Sequence, residues 1–362
     1  MTRRMLSHPT TQADRSAGMT LIELMVALAI GAFLMIGAIT VFMQSRATFR
    51  VTDSIARLQE NGRFALDALE TDIRMAGFWG LTRRADLIDL RAGAADPDGI
   101  GQDGCGKNWL IDLNNPVAGT NNVNNWACTN AATGILDPVL ARTDTLVVRR
   151  TDEDPVTTAF VTGTGTANGT LYVMSARGGP QLGTIFADPT IPAGWTDPVG
   201  TDVYNEIHRL VVNGYYISNQ SSAPNVTTVP SLRMQTLVPG PGGTPALDDS
   251  GTIEDREILT GVEDFQVQFG VDTDRSGLET ESGTIDRWVN PGDAILTAPN
   301  SVVLAVRIWL RIRAELDERG FTDTANYVYA DVNFTPAGAD ANFRRIVVTK
   351  TIYLRNSRPV GG

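Results

Sequence analysis

Residues 18–43 read Gly-Met-Thr-Leu-Ile-Glu-Leu-Met-Val-Ala-Leu-Ala-Ile-Gly-Ala-Phe-Leu-Met-Ile-Gly-Ala-Ile-Thr-Val-Phe-Met, and this stretch decides the architecture of the chain. No side chain from Leu24 to Met43 carries a charge. About 20 apolar residues suffice to cross the hydrocarbon core of a membrane as a helix. A secretory signal ends in a small-residue cleavage site, and no such site follows this run. We therefore expect the segment to be retained as a transmembrane helix.

The glutamate at position 23 is the unusual residue of this segment. A carboxylate near the centre of a bilayer costs roughly 2.5–3.5 kcal/mol on insertion scales, so it indicates a functional residue. If the chain were cut between Gly18 and Met19, Glu23 would lie about 6 Å along a helix from the new amine. The alternative is a signal anchor whose glutamate lies among the lipid headgroups.

Gly18, Met19 and Glu23, followed by an uninterrupted apolar helix, closely resemble the class III signal of type IV pilins and pseudopilins. The resemblance implies that a prepilin peptidase cuts after Gly18 and methylates the amine of Met19. It also implies that Glu23 pairs with the N-terminal amine of a neighbouring subunit during fibre assembly. The chain would then divide into a leader peptide (1–18), a transmembrane and assembly helix (19–43), an amphipathic continuation (44–78) and a β-rich globular domain (79–362).

The helix is predicted to continue beyond the membrane to about Ala76. Apolar residues recur there at intervals of three or four, or multiples of these, which predicts one apolar stripe; they are Phe49, Ile55, Leu58, Ala65, Leu69, Ile73 and Ala76. Gly62 interrupts the pattern and costs about 1 kcal/mol relative to alanine. The stripe predicts packing against a globular domain.

The rest of the chain shows strand patterns. Alternation at 265–271, 306–312 and 346–354 predicts three strands of an antiparallel sheet covered on one side by the helix. Weaker runs at 144–149, 169–174 and 207–217 predict further strands, the last a hairpin turning at Asn213-Gly214. We expect an α+β, type IV pilin-like fold with long loops.

Three stretches narrow the resemblance to PilW-type minor pilins: residues 59–78, 261–274 and 344–356. The resemblance implies a minor pilin that primes fibre assembly in a complex at the pilus tip. The alternatives are a J-type minor pseudopilin of type II secretion and a tip adhesin on the same scaffold, with an adhesive surface that includes Tyr215, Tyr216 and Trp309.

The expected partners follow from this resemblance. They are the prepilin peptidase, other minor pilins and the major pilin through the N-terminal helix, and the inner-membrane assembly platform. The protein would cross the inner membrane once, with its N-terminus cytoplasmic and its globular domain periplasmic, and would reach the pilus tip after assembly. The net charge of −11 argues against nucleic-acid binding, which requires a basic surface.

Three sets of residues are candidates for further sites. Cys105 and Cys128 lie in a Gly/Asn-rich stretch and predict a loop-closing disulfide in an oxidising compartment, two free thiols being the alternative. Asp272, Asp274 and Ser276 resemble the opening of a calcium loop, although Gly283 replaces the expected glutamate, so a plain acidic hairpin explains them equally well. No nucleophile pairs with His208, so we expect no catalytic residues and no other cofactor.

Overall fold

The computed structural model describes residues 18–89, 102–103, 106–107, 109–123, 126, 142–157, 170–177, 182–187, 204–222, 228–238, 253–274 and 283–357. The chain forms two compact units, Met1–Ile55 and Ala56–Gly362. Helix α1, Leu21–Met75, contributes its first part to one unit and its last turns to the other. The long N-terminal helix and the α+β layout predicted from the sequence are confirmed.

Capping residues explain where helix α1 begins and ends. The Thr20 hydroxyl accepts a hydrogen bond from the backbone N–H of Glu23 at 3.3 Å, which satisfies one of the free donors of the first turn. After the last turn, Gly77 has a φ of +76° and donates its N–H to the carbonyl of Arg149. A left-handed glycine in this position stops a helix, because other residues enter that conformation only at a cost.

The strands of the described residues follow in chain order: β1 Ile88–Asp89, β2 Gln102–Asp103, β3 Gly106–Lys107, β4 Val117–Thr120, β5 Thr145–Thr151, β6 Leu171–Arg177, β7 Gly183–Ala187, β8 Tyr204–Ser218, β9 Ser231–Leu237, β10 Ile253–Thr260, β11 Val262–Asp272, β12 Arg287–Val289, β13 Val302–Arg313, β14 Tyr327–Tyr329, β15 Val332–Phe334 and β16 Arg345–Tyr353. Short 3-10 turns lie at Ala85–Leu87, Ala294–Thr297 and Gly338–Asn342.

Two larger sheets organise the second unit, whereas the sequence pattern predicts one. The first sheet has the order β1-β7-β6-β8-β5-β4, with β9 and β10 added beside β8, and its only parallel pair among the described strands is β1 with β7. The second sheet, β12-β11-β13-β16, is antiparallel throughout and contains the three strands predicted most strongly. Strands β14 and β15 form a separate hairpin.

The main core joins the end of the helix to both sheets. Helix residues Leu58, Leu69 and Ile73 are buried there against one face of each sheet. The first sheet is covered on its other face as well, by a second cluster that includes Trp79 and Trp109. Burial on both faces explains why nearly every residue of β5 is buried instead of alternate ones.

Gly62 allows the helix to approach the second sheet closely. A Cβ atom at this position would lie 2.9 Å from Cγ1 of Val348 on β16, and would require that side chain to shift. The glycine that weakens the helix therefore contributes to its packing. The Lys350 ammonium group, also on β16, bonds to the carboxylates of Asp67 and Glu70 across this contact.

The predicted hairpin turn at Asn213-Gly214 is wrong, because both residues lie inside the continuous strand β8. Gly214 lies under two indole rings, and a Cβ there would come within 2.8 Å of Trp109 and Trp126. The Asn213 amide donates to Asp72 at 3.0 Å, and its oxygen accepts from Thr236 at 2.6 Å. Tertiary packing selects these two residues at a position where their local pattern indicates a turn.

Candidate functional site

The candidate processing site lies immediately before helix α1. Gly18 and Met19 have non-helical backbone and are exposed, and nothing lies within 4 Å of the position where a Cβ of Gly18 would stand. Bare backbone of this kind can be threaded through a peptidase. Glu23 is exposed in the first turn of the helix. Its carboxylate therefore stands near the positive end of the helix dipole, four residues from the proposed cut.

The helix segment that follows is apolar and bare. It is long and apolar enough to cross a membrane, and none of its most apolar 18 residues is buried within the chain. Phe33 is 78% exposed and Leu21 is 76% exposed, values that no stable helix in water sustains along its whole surface. Lipid or the helices of other subunits must therefore cover this segment.

Comparison with known families agrees with the exposed segment at Gly18 and with the apolar helix that follows it. Residues 14–39 match the family model of the Prokaryotic N-terminal methylation motif, and residues 214–356 match that of the Type IV Pilus-assembly protein W. The chain therefore has a type IV pilin-like N-terminus, and its region 214–356 is similar to PilW-type proteins. The second match runs from β8 to the end of β16 and contains the quoted stretches 261–274 and 344–356. No curated protein and no solved structure shows significant similarity to the chain.

The methylation motif implies processing by prepilin peptidase and assembly with other pilins. The motif and the apolar helix also fit a membrane-anchored subunit. The roles of Gly18, Met19 and Glu23 as individual residues stay predictions, and so does the absence of catalytic activity.

The structure brings together the acidic residues of the predicted calcium loop. Ligand atoms of Asp272, Asp274 and Asp286 lie within 4.8 Å of one another, while Ser276 lies outside the described residues. Desolvation, hydrogen bonding with Asp274 and repulsion from both other carboxylates raise the pKa of Asp272. Asp286 already accepts bonds from the backbone N–H and hydroxyl of Thr273 at 2.9 and 3.0 Å. The arrangement suits a bound cation, and it equally suits an acidic turn that is stabilised by its own hydrogen bonds. Calcium binding therefore stays a prediction.

The other candidate residues have different outcomes. Cys105 and Cys128 lie outside the described residues, and their disulfide stays a prediction. His208 is 1% exposed, with Nδ1 2.9 Å from the carbonyl oxygen of Asp152. Tyr215 and Tyr216 are buried and belong to no surface, whereas Trp309 is half-buried on the outer face of the second sheet.

Sequence reasoning missed a charged network on the outer face of the second sheet. Arg311 and Arg345 share the carboxylate of Glu263 at 2.7 and 2.6 Å, and Tyr329 donates a hydrogen bond to Asp264. Burial raises the pKa of Asp264 despite its arginine neighbour. The polar alternation along β13 indicated a solvated face. The signal that indicates such a network is an acidic pair at the start of one strand, beside arginines on the next two strands.

Proposed function

We propose that this protein is a minor pilin that primes assembly of a type IV pilus as part of a tip complex, after prepilin peptidase processing. The single observation that carries the proposal is the bare apolar helix that begins three residues after an open Gly18. A protein that exposes such a helix needs partners of the same kind, and cleavage after Gly18 supplies an amine for pairing with Glu23.

The composition of the helix supports packing against other helices. Gly31 and Gly37 have open space around them, and small residues let helix backbones approach closely within a membrane. The same segment holds the precursor in the inner membrane, with the globular domain in the periplasm. It would then pass from lipid into the fibre without losing its apolar surroundings.

The size of the globular domain favours a position at the tip. Packed helices lie about 8–10 Å apart, whereas a domain spanning residues 77–362 has a radius of gyration of roughly 19 Å by size scaling. Such a domain crowds its neighbours at every position along a shaft. At the tip it has neighbours only below it.

Two other functions share this scaffold. A J-type minor pseudopilin of type II secretion would have the same processing and anchoring, and neighbouring genes for secretion components instead of pilus components would favour it. A tip adhesin would use an exposed aromatic surface, for which Trp309 and Tyr353 are the candidates on the second sheet.

Processing and recruitment are tested separately. Intact-mass measurement should find a mature chain that starts at a methylated Met19, and Gly18→Arg should leave the precursor uncut. Glu23→Ala should be cut but excluded from fibres, whereas Glu60→Ala, another exposed carboxylate on helix α1, should be incorporated normally. A mature chain that starts beyond Met43 would contradict the pilin assignment.

Position in the fibre is tested by immunogold labelling and quantitative mass spectrometry of sheared pili. We expect label at fibre ends, a stoichiometry far below that of the major pilin, and fewer fibres when the protein is absent. Label spread evenly along the shaft would contradict the tip role.

A further inference from the structure

Strand β16, Arg345–Tyr353, forms an open edge of the second sheet. It pairs with β13 over nine consecutive residues without a bulge, and no described strand pairs with its other side. The bonds from Ala314 N–H to the Arg344 carbonyl and from Leu354 N–H to the Leu304 carbonyl fix which groups face β13. By the alternation of an antiparallel ladder, the N–H and C=O groups of Val347, Thr349, Thr351 and Tyr353 point outwards.

These outward groups have no protein partner within the part of the chain that the structure describes. Edges of this kind are normally guarded by a proline, a bulge or a projecting lysine. Strand β16 contains no proline, and its only lysine, Lys350, is turned towards the carboxylates of helix α1. By contrast β10, which among the described strands also pairs on one side only, is interrupted by a bulge between Glu257 and Leu259.

The side chains beside the open edge suit a protein ligand. Thr349, Thr351 and Tyr353 are exposed on the outer face, Tyr353 to 63%. In the next strand Arg307 stacks on the Trp288 ring at 3.8 Å and donates to the Thr351 hydroxyl at 3.1 Å. Tryptophan, tyrosine and arginine are the residues that dominate binding energy at protein interfaces.

The charge of the residues around β16 indicates the charge of the ligand. Residues 344–355 contain no acidic residue, and of their four cations Arg344, Arg345 and Lys350 pair with carboxylates of other elements, which leaves Arg355. Among the described residues, no carboxylate pairs with Arg307 or with the exposed Arg355.

We propose that β16 is a docking edge for an extended, acidic segment of another pilus subunit, which adds a strand to the second sheet and reaches Arg307. Backbone bonds to the outward groups would supply affinity, and contacts on the outer face would supply specificity. The identity of the partner as a pilus subunit rests on the proposed function. The open edge itself does not.

The test uses the full-length protein in fibre-producing cells, with the photo-cross-linking residue p-benzoylphenylalanine in place of Tyr353. We expect a cross-linked product whose second component is another pilus subunit, joined through an acidic segment. The same residue in place of Val328, which is 69% exposed on β14, should give no such product. No product from position 353, or a product that contains two copies of this chain, would overturn the proposal.

A matched pair of variants tests whether the outward backbone N–H of Thr349 bonds to the ligand. Thr349→Pro removes an outward N–H but no bond to β13, because only alternate residues bond across the ladder, and prolines are tolerated at edges. It should lower the cross-link from position 353 roughly fivefold or more, the loss expected when one hydrogen bond is removed. Thr349→Ala, which keeps the N–H, should cross-link normally. Equal yields from the two variants would overturn strand addition.

A second pair of variants tests the charge of Arg307. It also keeps the proposal testable if the Thr349→Pro variant accumulates poorly. Arg307→Gln should lower the cross-link, while Arg307→Lys keeps the charge and should retain most of it. Equal yields from these two variants would overturn the acidic ligand. Incorporation into sheared fibres is scored in parallel. Wild-type incorporation without a cross-link contradicts only the docking edge, whereas absence of the protein from fibres contradicts the proposed function.

Discussion

Replacing Asp72 with alanine should destabilise the globular domain more than any surface substitution on the same helix. Asp72 is 5% exposed on helix α1 and faces the first sheet. Its carboxylate accepts bonds from Arg150 Nε at 2.6 Å, Asn213 Nδ2 at 3.0 Å and the Tyr215 hydroxyl at 2.8 Å. Burial and the neighbouring carboxylate raise the pKa of Tyr215, so its hydroxyl remains a donor at every working pH.

The size of the effect follows from what the substitution leaves behind. Three donors lose one acceptor, and the guanidinium group of Arg150, whose side chain is only 18% exposed, loses its shortest ionic contact. Removing one partner of a buried ion pair costs about 3–5 kcal/mol. The total stability of a domain is only about 5–15 kcal/mol, so a large part of it would be lost.

Urea-induced unfolding of the full-length protein in mild detergent, followed by tryptophan fluorescence, measures this loss. The matched control is Asp67→Ala, on the same helix. Asp67 is exposed and pairs with Arg63 at 3.8 Å and Lys350 at 3.2 Å, contacts worth about 0–1 kcal/mol. If both variants lose the same stability, the carboxylate of Asp72 does not anchor the helix to the sheet. Adding Tyr215→Phe to Asp72→Ala should recover part of the loss, because one orphaned donor is then removed.

Three further predictions concern single sites. Burial raises the pKa of Asp144 from 3.8 to about 7, so the folded state holds a proton that the unfolded state releases. The free energy of unfolding should therefore fall as pH rises from about 4 to 7, and Asp144→Asn should flatten that slope in urea titrations. Thiol labelling of denatured, non-reduced periplasmic protein should find neither Cys105 nor Cys128 free, and reduction should lower stability by roughly 3 kcal/mol; two labelled thiols would remove the disulfide. Millimolar Ca²⁺ should raise the thermal midpoint of the full-length protein and Asp286→Asn should abolish the rise, whereas an unchanged wild-type midpoint leaves only an acidic turn.

The N-terminal half of the architecture could be predicted because its signals are local. Gly18, Glu23 and the apolar run lie within 26 consecutive residues, and the apolar stripe of the helix depends only on a fixed period. Period-two alternation likewise revealed β11, β13 and β16, since each of them buries one face against the main core.

Tertiary structure alone decided the features in which distant residues meet. The sequence indicates a turn at Asn213-Gly214, but Asp72, Trp109 and Trp126 hold both residues inside a strand. The pairing of Glu263 with Arg345 joins residues 82 positions apart, and no local period reports such a contact. The position of β16 at an edge among the described strands is also invisible in the sequence, because no local pattern reports which strands pair with one another. A residue pattern specifies which face of an element is buried, whereas strand order depends on which elements the whole chain brings together.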